Sequence, residues 1–228
     1  MFQVDVFTSD KFRGNTADVC ILDSWIEDGK LQQIAVKNNL SETAFPVKNK
    51  NRFQLRWFTP EAKIDLCGYA TLASAYIVFE YIDRSLKKVE LDTKSHKLIS
   101  NKTDSLLSMN FPSRPAKTVN YPGILHRSIN IKPKKVLKSR DYLLIYDNEK
   151  KIKKIKLDFK LLKKVNTLGE IVTSESSQYK KYDFKLSFFA PSLGIEKDPM
   201  TGSSHTTLIP CWAKKLNKNR MIAYQYSK

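Results

Sequence analysis

Each half of this chain contains a turn of small residues that leads directly into an apolar, helix-forming segment. The first turn is Cys67-Gly68, and the second is the Thr-Gly-Ser run at residues 201–203. The first N–H groups of a helix have no partner inside it and carry partial positive charge, so such a turn favours an anion such as a carboxylate. Two such turns, together with a spare carboxylate at Glu42, predict a small-molecule site between two similar lobes.

Composition places the chain among globular proteins. Its 228 residues suit two lobes of about 110 residues each. Apolar residues make up 41% and aromatic residues 11%, which is enough for a hydrophobic core and argues against disorder. The first twelve residues lack the features of a targeting signal, and no stretch approaches the ~20 apolar residues of a membrane-spanning helix. We therefore expect a soluble, cytoplasmic protein.

The cysteines indicate neither a disulfide framework nor a metal site. Cys20, Cys67 and Cys211 are odd in number, widely spaced and without a nearby histidine cluster. Disulfide scaffolds and zinc sites instead show paired cysteines at short, regular spacing. We expect no metal.

The net charge of +17 is the strongest compositional anomaly, with lysines most dense between residues 132 and 164. Such a run is typical either of a nucleic-acid or anionic-membrane surface or of a lysine-rich, solvated face. Lysine greatly outnumbers arginine, the better residue for bidentate phosphate recognition, and no aromatic residues interleave with the basic run. The solvated face is favoured, so we expect neither a specific nucleic acid nor a membrane as partner.

Hydrophobic periodicity predicts α+β lobes, each with a sheet around one buried helix. Segments with apolar residues on nearly all sides indicate buried helices at about 68–82 and 203–216. Asp28 is predicted to cap a further helix, with Leu31, Ile34 and Ala35 on one face, that ends near Asn38-Asn39. Alternating or apolar runs predict strands at residues 2–8, 18–22, 53–58, 89–93, 96–100, 106–111, 135–137, 142–146, 169–173 and 185–189.

Two prolines mark the boundary between the lobes. Pro112 and Pro115 stand too close together for a strand or a helix to continue through them. We therefore predict an N-terminal domain at residues 1–113 and a C-terminal domain at residues 116–228.

Several short motifs in the same order and spacing resemble the PhzF family, named for a phenazine-biosynthesis isomerase. They include Asn39-Leu40-Ser41-Glu42-Thr43, Trp57-Phe58-Thr59-Pro60, Asp65-Leu66-Cys67-Gly68 with Ala70-Thr71, and Asp198-Pro199 with Thr201-Gly202-Ser203. Further matches are residues 4–8, 14–15, 19–20 and 33–35. The resemblance covers nearly all of residues 1–82 and again 186–227, whereas the basic middle is unspecific.

The resemblance implies the diaminopimelate-epimerase-like fold, in which two pseudo-twofold-related lobes each roll a sheet around a central helix and the active site lies in the cleft between them. It implies a proton-transfer isomerase or epimerase that acts on a small carboxylate-bearing metabolite without metal or organic cofactor. We also expect a homodimer. The resemblance also implies catalytic roles for Glu42, Asp198 and Ser203, and we expect substrate binding by Asn15, Gly68, Tyr69, Thr201 and Gly202.

The residues themselves leave alternatives open. Glu42 stands beside Ala44 and Phe45, and apolar walls would raise its pKa toward neutrality, as suits a general base; otherwise it is a surface or capping carboxylate. Asp198, just before a turn, could merely cap a helix, a role compatible with function, and Ser203 is an N-cap by position that could also contact a substrate carboxylate. No second cysteine stands at the matching turn, so Cys67 is interpreted as a small packing residue.

Two departures from the family pattern bear on activity. Tyr69 stands where the family usually has histidine, and a phenol cannot shuttle protons at pH 7 as imidazole does. The family also continues past the end of this chain, so we expect the second lobe to lack its last strands and residues 221–226 to lie at a sheet edge. The leading interpretation is an isomerase. The alternatives are a catalytically impaired relative that binds a small carboxylate or a partner protein and, less strongly, a nucleic-acid-associated protein.

Overall fold

Strands that alternate apolar and polar residues build the first half of the chain. The computed structural model describes residues 1–8, 14–94, 96–178 and 181–226. The chain divides into two compact units, Met1–Pro112 and Ser113–Lys228. The elements of the first unit are β1 Phe2–Val6, β2 Asn15–Val19, α1 Asp28–Asn38, β3 Thr43–Asn49, β4 Arg52–Phe58, β5 Lys63–Ile64, α2 Gly68–Ile77, β6 Lys88–Asp92, β7 Lys97–Thr103 and β8 Leu106–Met109.

The first unit has one mixed sheet with a helix on each face. Its strand order is β1-β2-β3-β4-β6-β7-β8, and β5 pairs with β4. Strand β4 shows how alternation separates the faces, because Leu55 and Trp57 join the core around α2 whereas Phe58 joins the smaller core under α1. The sheet therefore holds α2 on one side and α1 on the other.

The predicted buried helix at 68–82 is confirmed. Helix α2 is followed without a break by a π-helical turn, Val78–Ile82, which ends at Asp83. Ala70, Ala73 and Ala75 are fully buried in α2, as the apolar pattern on all sides of the helix predicts.

Sequence reasoning missed β3 and misplaced β2. Strand β3 contains Pro46, a residue that is rare inside sheets because it cannot donate a ladder hydrogen bond. The carbonyl of Pro46 nevertheless accepts a hydrogen bond from the Leu22 N–H at 3.0 Å. The strand predicted at 18–22 is observed at Asn15–Val19, three residues earlier, and only an isolated bridge forms at Leu22.

The second unit repeats the mixed architecture with more helices. Its elements are β9 Lys117–Thr118, α3 Gly123–Arg127, β10 Lys135–Lys138, β11 Tyr142–Ile145, α4 Glu149–Lys153, α5 Phe159–Leu162, β12 Glu170–Glu175, β13 Phe184–Ala190, β14 Ile195–Asp198, α6 His205–Leu216 and β15 Ala223–Gln225.

Both faces of the second sheet are covered. The strand order is β14-β13-β12-β11-β10-β9, and β15 pairs in parallel with β13. Leu208 and Trp212 of α6 pack on one face, whereas Leu125, Ile152 and Leu162 of α3, α4 and α5 pack on the other. Every residue of β13 is consequently buried.

Helix α6 begins later than predicted and tolerates a proline in its middle. The prediction placed its start at Ser203, but the helix begins at His205 and its N-cap is Ser204. Pro210 has no N–H to bond the Thr206 carbonyl. The backbone N–H of Arg114 donates to that carbonyl at 2.9 Å instead, so the acceptor is satisfied.

The end of the second unit lies at a sheet edge, as expected for residues 221–226. Among the described residues β15 pairs with β13 alone. Ser227 and Lys228 lie outside the described residues.

The lysine-dense stretch folds into β10, β11 and two short helices. Ile152 and Leu162 face the core, whereas Lys150, Lys153 and Lys160 are exposed. None of the helices in the described part of the chain has the length and hydrophobicity that a bilayer crossing requires.

One carboxyl group is buried in the second core without a hydrogen bond. Glu170, at the start of β12 between Tyr142 and Phe189, is 1% exposed. Neither of its carboxyl oxygens has a hydrogen-bond partner among the described residues. Burial, and secondarily the charge of Asp141, raise the pKa of Glu170 to about 8.

Glu170 should make the protein less stable as pH rises. The unfolded chain releases this proton near pH 4.5, whereas the folded chain keeps it until about pH 8, so stability falls between these values. We expect Glu170→Gln to raise the free energy of unfolding by ~3 kcal/mol at pH 7 and to have little effect near pH 4.5. Urea denaturation between pH 4.5 and pH 8 measures the difference.

Glu175→Gln is the matched control, because Glu175 lies at the other end of β12 in a partly exposed ion pair with Lys215. Its effect should stay below ~1 kcal/mol. A Glu170→Gln protein whose stability shows the same pH dependence as the parent would contradict the assignment.

Candidate active site

Glu42 lies at the junction of α1 and β3. The C-cap of helix α1 is Asn39, whose left-handed backbone (φ 52°) turns the chain toward the sheet. The N-cap is Glu27, so the prediction that Asp28 caps this helix is wrong. The carbonyl of Glu42 accepts a hydrogen bond from the Asp18 N–H of the neighbouring strand at 3.3 Å. Glu42 is 6% exposed, so the structure excludes the interpretation of Glu42 as a surface carboxylate.

Tyr69 is the partner that the structure gives to Glu42. It lies in the first turn of α2, and its hydroxyl donates a hydrogen bond to Glu42 Oε2, 27 residues away in sequence. Both side chains are buried. The phenol therefore fixes the orientation of the carboxylate, and the two predicted site residues of the first unit meet.

The turn before α2 is tightly held. Cys67 is the N-cap, with extended backbone, and its carbonyl accepts a hydrogen bond from the Thr71 hydroxyl. Cys67 and Gly68 are both buried. The N–H groups of the first helical turn begin here, beside the Tyr69–Glu42 pair.

Asn15 is buried at the start of β2. Strand β2 pairs with β3 so that Asp18 lies opposite Thr43, which puts Asn15 about two residues, ~7 Å, along the strand from the level of Glu42. Gly14 precedes it with φ of 89°, and a Cβ there would lie 2.2 Å from the Val6 carbonyl oxygen. Only glycine fits this turn.

In the second unit, Asp198 closes the turn that precedes α6. Its carboxylate accepts hydrogen bonds from the Thr201 hydroxyl at 2.5 Å and from the Met200 N–H at 3.3 Å. Asp198 is buried at the end of β14. The helix-capping interpretation of Asp198 is wrong, because Ser204 is the N-cap of α6. Asp198 instead fixes the turn before the helix, a role compatible with catalysis.

Gln225 holds the same turn from the last strand. Its Nε2 donates to the Asp198 carbonyl at 2.7 Å and to Thr201 Oγ1 at 3.2 Å, and its Oε1 accepts from the Thr201 N–H at 2.9 Å. Gln225 is itself buried. The turn is thus fixed at three points by a side chain that is 24 residues from Thr201.

Ser203 and Gly202 lie in the last turn before the helix. The Ser203 hydroxyl accepts a hydrogen bond from Nη2 of Arg140 at 3.2 Å. The carbonyl of Gly202 accepts from the His205 N–H at 3.2 Å. Because Ser204 is the N-cap, the prediction that Ser203 caps the helix is wrong, and its hydroxyl does not bond the helix backbone.

His205 is the first residue of α6. Burial lowers its pKa, and Nδ1 lies 3.2 Å from the Thr201 carbonyl oxygen. A carbonyl can only accept, so Nδ1 carries the ring proton in this contact.

The structure thus forms two clusters of predicted residues, Glu42 with Tyr69 and Asp198 with Thr201. That the two clusters share one cleft stays a prediction. Sequence reasoning missed Arg140, which contacts Ser203. A charged Arg-Asp pair immediately before an apolar strand was the available signal. No group of three or more His, Cys, Asp or Glu side chains in the described part of the chain is arranged to hold a metal ion.

Comparison with known proteins decides the family. The profile of the phenazine biosynthesis-like protein family, PhzC-PhzF, matches residues 4–228. The chain belongs to this family. The predicted resemblance is therefore confirmed.

Bacterial members of the PhzC-PhzF family extend the match over the whole chain. An uncharacterized isomerase of Pseudomonas aeruginosa is 41% identical over 225 residues, which cover 99% of this chain and 86% of that protein. One of Halalkalibacterium halodurans is 42% identical over 231 residues, covering 100% and 87%. The prediction of an isomerase is thereby confirmed as the class of enzyme.

Solved structures confirm the α+β, epimerase-like fold. A putative phenazine biosynthesis PhzC/PhzF protein from Clostridium difficile superposes with a TM-score of 0.86 at 41% identity, covering 100% of this chain and 86% of that one. A probable proline racemase from Agrobacterium radiobacter, at 8% identity and a TM-score of 0.61 over 91% and 76% of the chains, shares the fold alone.

Gln225→Ala should loosen the turn before α6. The substitution removes the three hydrogen bonds that the Gln225 side chain makes to Asp198 and Thr201, which should cost about 3 kcal/mol at roughly 1 kcal/mol each. We expect the Thr201 amide to exchange with solvent at least ~100-fold faster by NMR. Gln178→Ala, which removes an exposed glutamine of the same unit, is the control. Unchanged exchange at Thr201 would refute the anchoring role of Gln225.

Proposed function

We propose that this PhzC-PhzF family member isomerises a small carboxylate-bearing metabolite by moving a proton between carbon atoms, without a cofactor. Glu42 is the acid/base. The burial of its carboxylate and the hydrogen bond from Tyr69 support this role most directly, because a general base must be held in one orientation toward the carbon it deprotonates.

The proposed reaction conserves all atoms of the substrate. Glu42 takes a proton from a carbon that neighbours a double bond or a carbonyl group, and the electron pair of the C–H bond delocalises into an enolate. Glu42 then returns a proton to a different carbon, so the double bond shifts and the carboxylate is regenerated. The first N–H groups of α2, at Gly68 and Tyr69, are the proposed contacts for the negative charge.

The second turn supplies the remaining proposed roles. Asp198 and Thr201 shape the turn, and the hydroxyl of Ser203 and the N–H groups near Gly202 bind a substrate oxygen. That these residues act on the same molecule as Glu42 stays a prediction. Ser203→Ala tests it, because the loss of one hydrogen bond to a charged oxygen should lower the rate of a Glu42-dependent reaction about 10- to 100-fold.

Glu42→Gln should abolish isotope exchange. After Glu42 takes a proton from the substrate, its carboxylic acid can exchange that proton for deuterium from D2O. The return step then places deuterium on a substrate carbon. We expect incorporation, followed by ¹H NMR, in at least one of a panel of but-3-enoate, cyclic β,γ-unsaturated carboxylates and α-amino acids. Glu42→Gln should reduce its rate by at least ~1,000-fold, because the amide cannot accept the proton.

Glu61→Gln, which changes an exposed glutamate of the same unit, is the matched control. Exchange that survives Glu42→Gln would remove Glu42 from its role. Absence of exchange across the whole panel, with tight binding of its members, would favour the alternative of a catalytically impaired relative that binds carboxylates.

Substitutions of Tyr69 distinguish an active isomerase from a catalytically impaired relative. If its phenol orients Glu42 for catalysis, Tyr69→Phe should lower kcat about 10-fold or more through loss of a hydrogen bond to a carboxylate. Tyr69→His should then give no gain. A rise in rate of ~10-fold or more on Tyr69→His would instead mean that the tyrosine impairs an otherwise intact site. Steady-state rates in the exchange assay measure both variants.

A further inference from the structure

Arg140 contacts the Ser203 hydroxyl from a distant part of the second unit. It lies in the turn between β10 and β11, 63 residues from Ser203, and its Nη2 donates to Ser203 Oγ at 3.2 Å. Its side chain is 15% exposed. The contact therefore brings a guanidinium group, which is permanently charged, to a hydroxyl at the end of the candidate substrate turn.

Asp141 fixes the orientation of this guanidinium. Arg140 Nε lies 3.2 Å from both carboxylate oxygens of Asp141, and Nη2 lies 3.1 Å from Oδ2. The Asp141 carboxylate is 1% exposed. A forked pair of this kind is directional as well as strong, so Nη2 is held where it reaches Ser203.

The contact determines which way the Ser203 hydroxyl can point. Guanidinium has donors and no acceptor, so Ser203 Oγ must be the acceptor in this hydrogen bond. The hydrogen of the hydroxyl has no acceptor among the described residues, although Ser203 is only 6% exposed. A buried hydroxyl group normally uses its donor, so this one is available to a ligand oxygen.

We propose that Arg140 is a positioning residue that fixes the Ser203 hydroxyl as a hydrogen-bond donor to a negatively charged substrate oxygen, a carboxylate or an enolate. This inference rests on the proposed function, since it concerns the same turn. The guanidinium both orients the hydroxyl and polarises its O–H bond, so Ser203 donates more strongly to an anion than an isolated serine would.

Ser203→Cys tests whether the charge of the Arg140 guanidinium acts on this position, and the test needs no substrate. In a Cys211→Ala background, the thiol introduced by Ser203→Cys is titrated through thiolate absorbance at 240 nm, with the protein lacking Ser203→Cys as reference. We expect Arg140→Met to raise the pKa of this thiol by at least about one unit, because the neighbouring positive charge is lost. Arg220→Met, a change at an exposed arginine, should leave it unaltered.

One result of this titration would contradict the proposal. An equal thiol pKa with and without Arg140 would overturn the proposal and leave Arg140 with a purely structural role. Because Arg140→Met removes the forked ion pair of the buried Asp141 carboxylate, the double variant Arg140→Met/Asp141→Met is measured as well. It should still raise the thiol pKa if the guanidinium is the cause, but by less than Arg140→Met, because the nearby Asp141 negative charge is removed as well.

Steady-state kinetics test whether Arg140 orients the Ser203 hydroxyl. The substrate is the carboxylate of the panel that shows the fastest deuterium exchange. We expect Arg140→Met and Ser203→Ala each to lower kcat about 10- to 100-fold with little change in KM, and the double variant to be no slower than Ser203→Ala. Arg140→Lys, which keeps the charge but loses the fork, should recover only part of the rate. Additive losses would overturn the proposal.

The two tests separate this inference from the proposed function. If no panel member exchanges but the thiol titration shifts as expected, the isomerase mechanism is contradicted whereas Arg140 still controls the hydroxyl. If exchange depends on Glu42 but neither the thiol nor the rate responds to Arg140, the mechanism stands and this inference is overturned.

Discussion

The candidate site depends on how closely α2 packs against its sheet. Alanines at positions 70, 73 and 75 have no exposed surface, and side chains this small allow the helix backbone to approach the strands. The helix axis is fixed by this packing, and its first turn carries Tyr69 to Glu42 at the start of β3. A larger side chain on α2 would displace the phenol from the carboxylate without touching either residue. Geometry at the site is therefore a consequence of core packing.

Much of this arrangement was predictable from the sequence because the signals were local. The apolar residues on every side of 68–82 specify a helix buried all round, and alternation in residues 53–58 specifies a half-buried strand. Glu42 and the residues 198–203 were identified from motif order. These features depend on neighbouring residues alone, so no tertiary contact had to be known.

The parts that could not be predicted depend on contacts between distant residues. Strand β3 forms although Pro46 argues against it, because β2 and β4 flank it and bury Ala44 and Phe45. The hydrogen-bond donor to Ser203 is Arg140, and no sequence pattern at either position predicts this contact. Ser203, the residue before the N-cap Ser204, likewise bonds a distant guanidinium rather than the helix backbone.

Pro210 has a consequence that reaches beyond α6. The proline deprives the Thr206 carbonyl of its helical partner, and the Arg114 N–H takes that place. The hydroxyl of Thr206 in turn donates to the Ser203 carbonyl at 2.7 Å. One residue thus joins the first segment of the second unit to the turn before α6. Fraying of residues near 114 would expose a buried acceptor in the first turn of α6, so the two segments are expected to open together as one cooperative unit. A single imino acid thereby converts a local helical bond into a link between parts of the chain about ninety residues apart.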